Sequence, residues 1–172
     1  MSQEPNRSFI IDANVLIDYC DSELDILSMY SQHVGDVYIA RSTFNKVKQL
    51  KESQAEKYHL NIMTPDSDII TAAARSRGPL AYDDHETLLL AKANGLTCIT
   101  NDKTLRRECK IEGVPNLWGL EPMKALVRRG VLARSKALII AGKIQAKNPG
   151  FITDEIIKRF ESEIKEIHAG KE

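Results

Sequence analysis

Residues 80–102 have the sequence LAYDDHETLLLAKANGLTCITND, which predicts a helix followed directly by a buried strand. Apolar residues recur at helical spacing from Leu88 to Ala93, acidic residues stand in the first turn, and Asn94-Gly95 marks the end of the helix. The residues LTCIT, 96–100, then form a short apolar strand, and Asn101-Asp102 follows it. The segment therefore predicts a carboxylate just beyond the end of a buried strand.

The same order occurs near the start of the chain. Residues 8–17, SFIIDANVLI, contain an apolar run, then Asp12, then a second apolar run, which predicts a strand that ends at Asp12 and a helix after it. Further strands are predicted for DVYIA, 36–40, and LNIMTP, 60–65. Strands that alternate with helices predict the α/β class, here a three-layer fold with a parallel sheet flanked by helices.

Two helices are predicted around the third strand. One is capped by Ser42 and runs through Val47 to Leu50, and the other covers 69–74 before the breaker Gly78-Pro79. The pattern changes after Pro115, because residues 119–168 show helical spacing and no convincing strand. We therefore predict an α/β domain over 1–118 and a helical extension over 119–172, packed on or beside it.

The composition places the chain among ordinary globular proteins. It has 172 residues, 24 basic and 24 acidic side chains and 42% hydrophobic residues. Its three cysteines have neither the number nor the spacing of a disulfide framework or a zinc site. No apolar run approaches the roughly 18 residues of a membrane span, and the first residues lack the pattern of an export signal. A cytoplasmic protein without a membrane partner is expected.

Charge is distributed unevenly along the chain. Residues 1–100 contain 9 basic and 14 acidic side chains, whereas 101–172 contain 15 and 10. An acidic part beside a basic part suits a site that holds cations and contacts a polyanion. A solvated helix surface explains the basic part equally well.

Three carboxylates stand where side chains of a parallel sheet converge. Asp12 ends the first predicted strand, Asp102 ends the fourth, and Asp84 begins the helix before the fourth. Carboxylates brought together repel one another, and a divalent cation relieves that repulsion; oxygen ligands favour Mg²⁺ or Mn²⁺. Such an ion activates water for attack on a phosphodiester. The competing interpretation is that these residues only form turns or cap helices.

Two motifs resemble those of PIN-domain nucleases. FIIDANVLIDY, residues 9–19, is similar to the opening motif of the family, in which an Asp ends the first strand and a small polar residue, here Asn14, stands two places on. Residues 80–102 resemble the second signature: an Asp, an Ala-rich helix, a Gly, an apolar strand and a Thr-x-Asp. The match covers roughly residues 8–118, and the tail resembles the helical extension of a subgroup of uncharacterised prokaryotic PIN proteins.

The resemblance implies a metal-dependent endoribonuclease that cleaves single-stranded or structured RNA with Mg²⁺ or Mn²⁺. Matched residue by residue, Asp12, Asp84 and Asp102 would be the catalytic and metal-binding residues, and Asn14 and Thr100 would orient ligands or water around them. VapC-like toxins of toxin–antitoxin pairs are the commonest prokaryotic members of the family. An antitoxin protein and a second copy of the chain, as a homodimer, are therefore expected partners beside RNA.

One position departs from the family pattern. PIN nucleases usually have a Glu on the helix after the second strand, and the same place here is occupied by Lys46. This lysine could neutralise the site, leave room for one metal ion where there would be two, or contact the scissile phosphate as a point charge. The alternative function is therefore a catalytically degenerate PIN fold that binds nucleic acid or another protein.

The basic residues after Asp102 supply a second binding prediction. Arg106, Arg107 and Lys110 follow closely enough to flank the same cleft, and with Lys46 they are predicted to bind RNA phosphates. A phosphatase of the haloacid-dehalogenase type is another alternative, since it also has an Asp after its first strand. Such enzymes need a second Asp two residues on, where this chain has an asparagine.

Three further residues are expected to have ordinary structural roles. Asp83 is predicted to cap the helix that contains Asp84. Asp18 is predicted to be exposed to solvent. Trp118 is predicted to pack between the sheet and the helical extension.

Overall fold

A sheet of five parallel strands forms the centre of the computed structural model, which describes residues 7–75 and 78–167. The strands are β1 (Phe9–Ile11), β2 (Val37–Ala40), β3 (Leu60–Met63), β4 (Thr97–Ile99) and β5 (Asn116–Leu117). Their order across the sheet is β3-β2-β1-β4-β5, and every pairing is parallel. The chain thus builds the sheet outward from β1 on one side and then returns to add β4 and β5 on the other.

Ten helices connect or follow these strands within the described ranges. They are α1 (Ala13–Ser22), α2 (Asp25–His33), α3 (Arg41–Lys46), α4 (Glu52–Lys57), α5 (Ser67–Arg75), α6 (Tyr82–Asn94), α7 (Lys103–Ile111), α8 (Glu121–Arg128), α9 (Arg134–Lys147) and α10 (Asp154–Glu166). None of them is both long enough and apolar enough to cross a membrane.

Alternate residues of the central strand face two different cores, because side chains of a strand point to opposite faces. Phe9 and Ile11 belong to the larger core, which also contains residues of α1, α2 and the helices after β5. Ile10 belongs to the smaller core, which it shares with residues of β4, α6 and α7. The three-layer α/β architecture expected from the sequence is confirmed.

The helices after β5 share the larger core with the sheet. Helix α8 packs against α2, α9 packs against α1, and α10 packs against α9. Phe160 and Ile164 of α10 are buried in the same hydrophobic cluster as Phe9 and Ile11 of β1. The boundary at residue 118 remains a prediction, but apolar burial is continuous across it.

The helix predicted from Ser42 to Leu50 is wrong in its length and its cap. Helix α3 has Ala40 as its N-cap and ends at Lys46, and Val47 adopts an extended conformation with φ −88° and ψ 97°. Val47 and Leu50 are nevertheless buried, so their apolar character reflects packing of an irregular segment. A second short helix, α4, begins only at Glu52.

Strand lengths also differ from the predictions. The third strand ends at Met63, two residues before Pro65, and β5 was not predicted at all. β5 has only two residues, so it offers no alternation to detect. Its pairing with β4 places the segment before Trp118 beside the strand that leads to Asp102.

Candidate active site

The candidate site lies at the carboxyl ends of β1 and β4, where the strand order of the sheet reverses. β1 and β4 are adjacent and parallel, but the chain leaves them towards opposite sides of the sheet. The helices that follow such strands diverge, which leaves a crevice at the carboxyl ends where ligands of α/β proteins commonly bind. Asp12 follows β1, and Thr100 and Asp102 follow β4 at this crevice.

Asp12 is buried, with 1% of its surface exposed. One carboxylate oxygen, Oδ1, accepts a hydrogen bond of 2.9 Å from the backbone N–H of Val15 and so caps helix α1. The other oxygen, Oδ2, accepts a hydrogen bond from the hydroxyl of Thr100. Asp12 therefore does cap a helix, as the competing interpretation proposed, and it also joins the end of β1 to the end of β4.

Thr100 links Asp12 to Asp102. Its fully buried hydroxyl oxygen accepts a 3.0 Å hydrogen bond from the backbone N–H of Asp102 while it donates to Asp12. The side chain of Asp102 accepts a 2.9 Å hydrogen bond from the N–H of Leu105 and caps helix α7. The two aspartates thus occupy equivalent places, each at the end of a strand and the start of a helix.

Asp84 lies in the first turn of α6 and is partly buried. The pKa of Asp12 is raised from 3.8 to about 7, mainly by burial; Asp84 and Asp102 add to the rise, and hydrogen bonds from Thr100 and Val15 oppose it. The pKa of Asp84 is raised from 3.8 to about 6, again mainly by burial, with Asp83 and Asp102 adding to the rise and Lys46 opposing it. The three predicted carboxylates are therefore close enough to repel one another.

The donor chemistry of this cluster suits a hard divalent cation, although the side chains do not already form a cage. No group of three or more His, Cys, Asp or Glu residues within 7–75 and 78–167 is arranged to hold a metal ion. Mg²⁺ is usually held through one or two carboxylates, with water and substrate oxygens as its other ligands. Buried carboxylates that repel one another fit that mode of binding, since a cation relieves the repulsion.

Lys46 reaches the cluster through Asp83. Its Nζ lies 3.3 Å from Oδ2 of Asp83, whose side chain is 11% exposed, whereas that of Lys46 is 59% exposed. The predicted capping role of Asp83 is wrong, because α6 begins at Tyr82 and its N-cap is Ala81, two residues before Asp83. Asp83 instead faces α3, where it pairs with the lysine.

Glu86 is a further buried carboxylate that the sequence reasoning did not assign to the site. It accepts hydrogen bonds from the hydroxyl and, at 3.1 Å, from the backbone N–H of Ser42, and burial raises its pKa. The spacing in the sequence could have indicated this role, because Asp83 and Glu86 are three residues apart and therefore share one face of α6. That face packs against α3, which fixes the orientation of α6 and so of Asp84.

Arg106 is held at the end of β4, between Thr100 and Trp118. Its Nη1 donates a 3.2 Å hydrogen bond to the backbone carbonyl of Thr100, and its guanidinium lies 3.5 Å from the centre of the Trp118 ring. Arg107 and Lys110 are exposed on α7, and Arg107 pairs with Glu108. Arg106 and Lys46 thus lie near the cluster, while the other two basic residues lie on the outer surface of α7.

Asn14 is exposed in the first turn of α1 and lines a small cavity between α1 and α9. Asp18 lines the same cavity and is only 8% exposed, so the prediction of a solvent-exposed residue is wrong. It accepts a 3.0 Å hydrogen bond from Nδ2 of Asn148, which follows α9. The sequence could not show this contact, because Asn148 lies far along the chain, just after the end of α9.

Asn101 joins the site to the segment that leads into α8. Its side-chain oxygen accepts a 2.8 Å hydrogen bond from the N–H of Gly119, and the Gly119 carbonyl accepts one of 2.5 Å from Tyr19. A Cβ atom at Gly119 would lie 2.7 Å from Nδ2 of Asn101, so a larger residue here would have to displace the Asn101 side chain that binds the Gly119 N–H. Trp118, just before it, is 40% exposed, so the prediction that it is buried between the sheet and the helical extension is wrong.

A solved structure with a similar fold is that of a PilT N-terminus (PIN) domain protein from the hyperthermophilic archaeon Sulfolobus solfataricus P2. The match has a TM-score of 0.53 and 12% sequence identity, and it covers 69% of this chain and 92% of the archaeal chain. At this identity the likeness shows the fold, which is of the PIN type. No protein-family model matches this chain, and no curated protein matches it in sequence.

Proposed function

We propose that this chain, which has the PIN fold, is a metal-dependent endoribonuclease that hydrolyses phosphodiester bonds of RNA. The observation that supports it most directly is the buried carboxylate of Asp12, which Thr100 links to the backbone of the second strand-end aspartate, Asp102. A purely structural helix cap would not need such deep burial, nor two further carboxylates, Asp84 and Asp102, near enough to raise its pKa.

In this proposal Asp12, Asp84 and Asp102 would hold Mg²⁺ or Mn²⁺, which would supply a Lewis acid for the phosphate and would lower the pKa of an attacking water. Thr100 would fix the orientation of the Asp12 carboxylate and of the backbone at Asp102 through its two hydrogen bonds. Asn14 would orient a ligand or a water molecule from the first turn of α1. Lys46 and Arg106 would bind phosphate oxygens near the bond that is cleaved, with Arg107 and Lys110 extending the basic surface.

The test is cleavage of a panel of single-stranded and hairpin RNAs by the purified chain in Mn²⁺, with EDTA as the metal-free control. Asp102→Asn should lower the cleavage rate at least about 100-fold, because it removes a cation ligand but can still accept the capping hydrogen bond. Asp68→Asn, on an exposed site of α5, is the matched control and should leave the rate unchanged. Equal rates for the Asp102 variant and the control would contradict the assignment.

Cation binding should weaken as the solution becomes more acidic. Carboxyl groups bind Mn²⁺ only when ionised, and the pKa values of Asp12 and Asp84 are raised to about 7 and about 6. We therefore expect the apparent Mn²⁺ affinity to fall at least about tenfold between pH 8 and pH 5.5, measured by calorimetry. An affinity that is unchanged over this range would show that the ion does not use these buried carboxylates.

The second candidate function is a PIN fold that has lost catalysis but still binds nucleic acid or protein. The ion pair between Lys46 and Asp83 favours it, because a cation already lies beside the acidic cluster. Salt-sensitive RNA binding without cleavage in Mn²⁺ would support this candidate over the nuclease. A VapC-like toxin role, with an antitoxin protein, belongs to the nuclease proposal; a homodimer and a cytoplasmic location are proposed in either case.

A further inference from the structure

A cavity of about 750 Å³ opens beside the candidate active site. Asn101 and Asp102 line it at one end, so the cavity borders the carboxylate cluster at Asp102. Residues at the start of α10 and in the turn before it, among them Phe151 and Ile152, line the other end. The helices after β5 thus form one wall of a pocket whose other wall is the edge of the PIN-type site.

Two exposed aromatic side chains line this cavity. Trp118 is 40% exposed and Phe151 is 42% exposed, although both are large and apolar. Arg106 stacks on Trp118 and is anchored to the carbonyl of Thr100, so the indole is held at a fixed place next to the strand that leads to Asp102. An aromatic surface that is both held in place and exposed is suited to stacking against a planar ligand.

The charges around the cavity indicate what kind of planar ligand fits. Lys124 is 8% exposed and pairs with Glu121, at 2.7 Å, and with Glu163, so this group keeps one negative charge. Asp102 and Glu155 also line the cavity, and such carboxylates can accept hydrogen bonds from the amino groups of a base. Lys103 and Arg159 line it too and can meet an anionic backbone. A flat ring with polar edges, attached to a chain of phosphates, matches this combination.

We infer that the cavity binds an unpaired nucleobase of single-stranded RNA, stacked on Trp118 and in contact with Phe151. This inference rests on the proposed function and deepens it, because a base held there would fix the adjoining phosphate beside Asp102. A protein side chain would fill the aromatic part of the cavity equally well. The nucleobase is favoured because Asp102, one of the candidate cation ligands, lines the cavity.

Trp118 makes the test direct, since it is the only tryptophan in the chain. Asp12→Asn protein in EDTA, which should not cleave, is titrated with the 12-nucleotide RNAs rU12, rA12 and rC12 while tryptophan fluorescence is recorded. At least one of them should quench the emission, because a stacked base contacts the indole. A 12-unit abasic backbone of the same charge should bind at least about fivefold more weakly and leave the emission unchanged.

Two variants in the same background separate the cavity from the rest of the surface. Phe151→Ala should weaken binding of the quenching RNA at least about fivefold, which corresponds to the loss of one aromatic contact with a base. Ile139→Ala removes another exposed apolar side chain, on α9, and should change neither binding nor quenching. Equal weakening by both variants would overturn the inference, because the effect would then not come from the cavity.

The outcome is distinguishable from failure of the nuclease proposal. Quenching by RNA together with no Mn²⁺-dependent cleavage by the wild-type chain would support base binding while removing the hydrolytic function. Cleavage that persists at the wild-type rate in Trp118→Ala, with no quenching of the Asp12→Asn protein, would overturn the inference alone. Absence of quenching is also the result expected if the cavity takes a side chain of a partner protein.

Discussion

Replacing Asp12 with asparagine should abolish cleavage and, at the same time, stabilise the fold in the absence of metal. The loss of cleavage follows from the removal of the most buried candidate cation ligand, and we expect the rate in Mn²⁺ to fall at least about 100-fold. The gain in stability follows from the pKa of Asp12, which rises from 3.8 to about 7 on folding. A carboxyl group whose pKa is raised in the folded state favours folding at acidic pH and opposes it once ionised.

The size of the effect follows from the same shift. The favourable contribution is complete below about pH 4 and is lost as the pH rises through about 7, so the ionised group lowers stability at pH 8. Each pKa unit corresponds to about 1.4 kcal/mol, and we expect Asp12→Asn to raise the free energy of unfolding by about 2–4 kcal/mol at pH 8 in EDTA. Asparagine can still accept the hydrogen bond from Val15, so the cap on α1 is kept.

The measurement is urea-induced unfolding of the wild type and the variant at pH 8 and at pH 4.5, in EDTA and in Mn²⁺. The difference between them should shrink at the lower pH. Mn²⁺ should stabilise the wild type and have less effect on the variant, because a ligand stabilises the state that binds it. A variant that is less stable than the wild type at pH 8, or that still cleaves RNA normally, would refute the role given to Asp12.

Phe160→Ala should be strongly destabilising, although the residue lies in α10, far along the chain from the predicted site. Phe160 is 2% exposed and belongs to the hydrophobic cluster that also contains Phe9 and Ile11 of the central strand. Truncation of a buried phenylalanine to alanine typically costs about 3–5 kcal/mol, because it removes apolar contacts and leaves a cavity. For a chain of this size the loss corresponds to a fall of very roughly 6–20 °C in Tm.

Thermal unfolding followed by circular dichroism and by the fluorescence of Trp118 checks this expectation. Because α8, α9 and α10 share a core with the sheet, both probes should report one transition, and Phe160→Ala should lower it as a whole. Ile139→Ala, at a 60% exposed position of α9, should shift Tm by at most about 2 °C. An early transition confined to the helical signal would show instead that the extension unfolds as a separate unit.

Local patterns were sufficient for most of the central architecture. Four of the five strands were predicted near their observed positions, since each is a short apolar run followed by a turn or cap residue. The end of α6 was also correct, because Gly95 adopts a left-handed conformation with φ 63° that ends a helix readily. The errors fall on α3, whose continuation is irregular, and on β5, which is too short to show a pattern.

Contacts between distant segments explain why the environments of Asp18 and Asp83 were predicted wrongly. Asp18 was expected to be exposed, but Asn148 from the end of α9 covers it and donates a hydrogen bond. Asp83 was expected to cap α6, but it faces α3 and pairs with Lys46. In both cases the local sequence is compatible with several environments for a carboxylate, and the packing of a distant helix determines which environment is observed.

The sequence by itself determined the α/β class, the positions of Asp12, Asp84 and Asp102 at strand ends and a helix start, and the resemblance to PIN nucleases. These features can be predicted because apolar runs, capping residues and turns each depend on only a few neighbouring residues. Only the tertiary structure decided that Thr100 joins the Asp12 carboxylate to the backbone of Asp102, that Lys46 lies beside Asp83, and that Trp118 lines a cavity with Phe151. Such features depend on how separate helices and strands pack, and packing distances are not encoded in the spacing of residues along the chain.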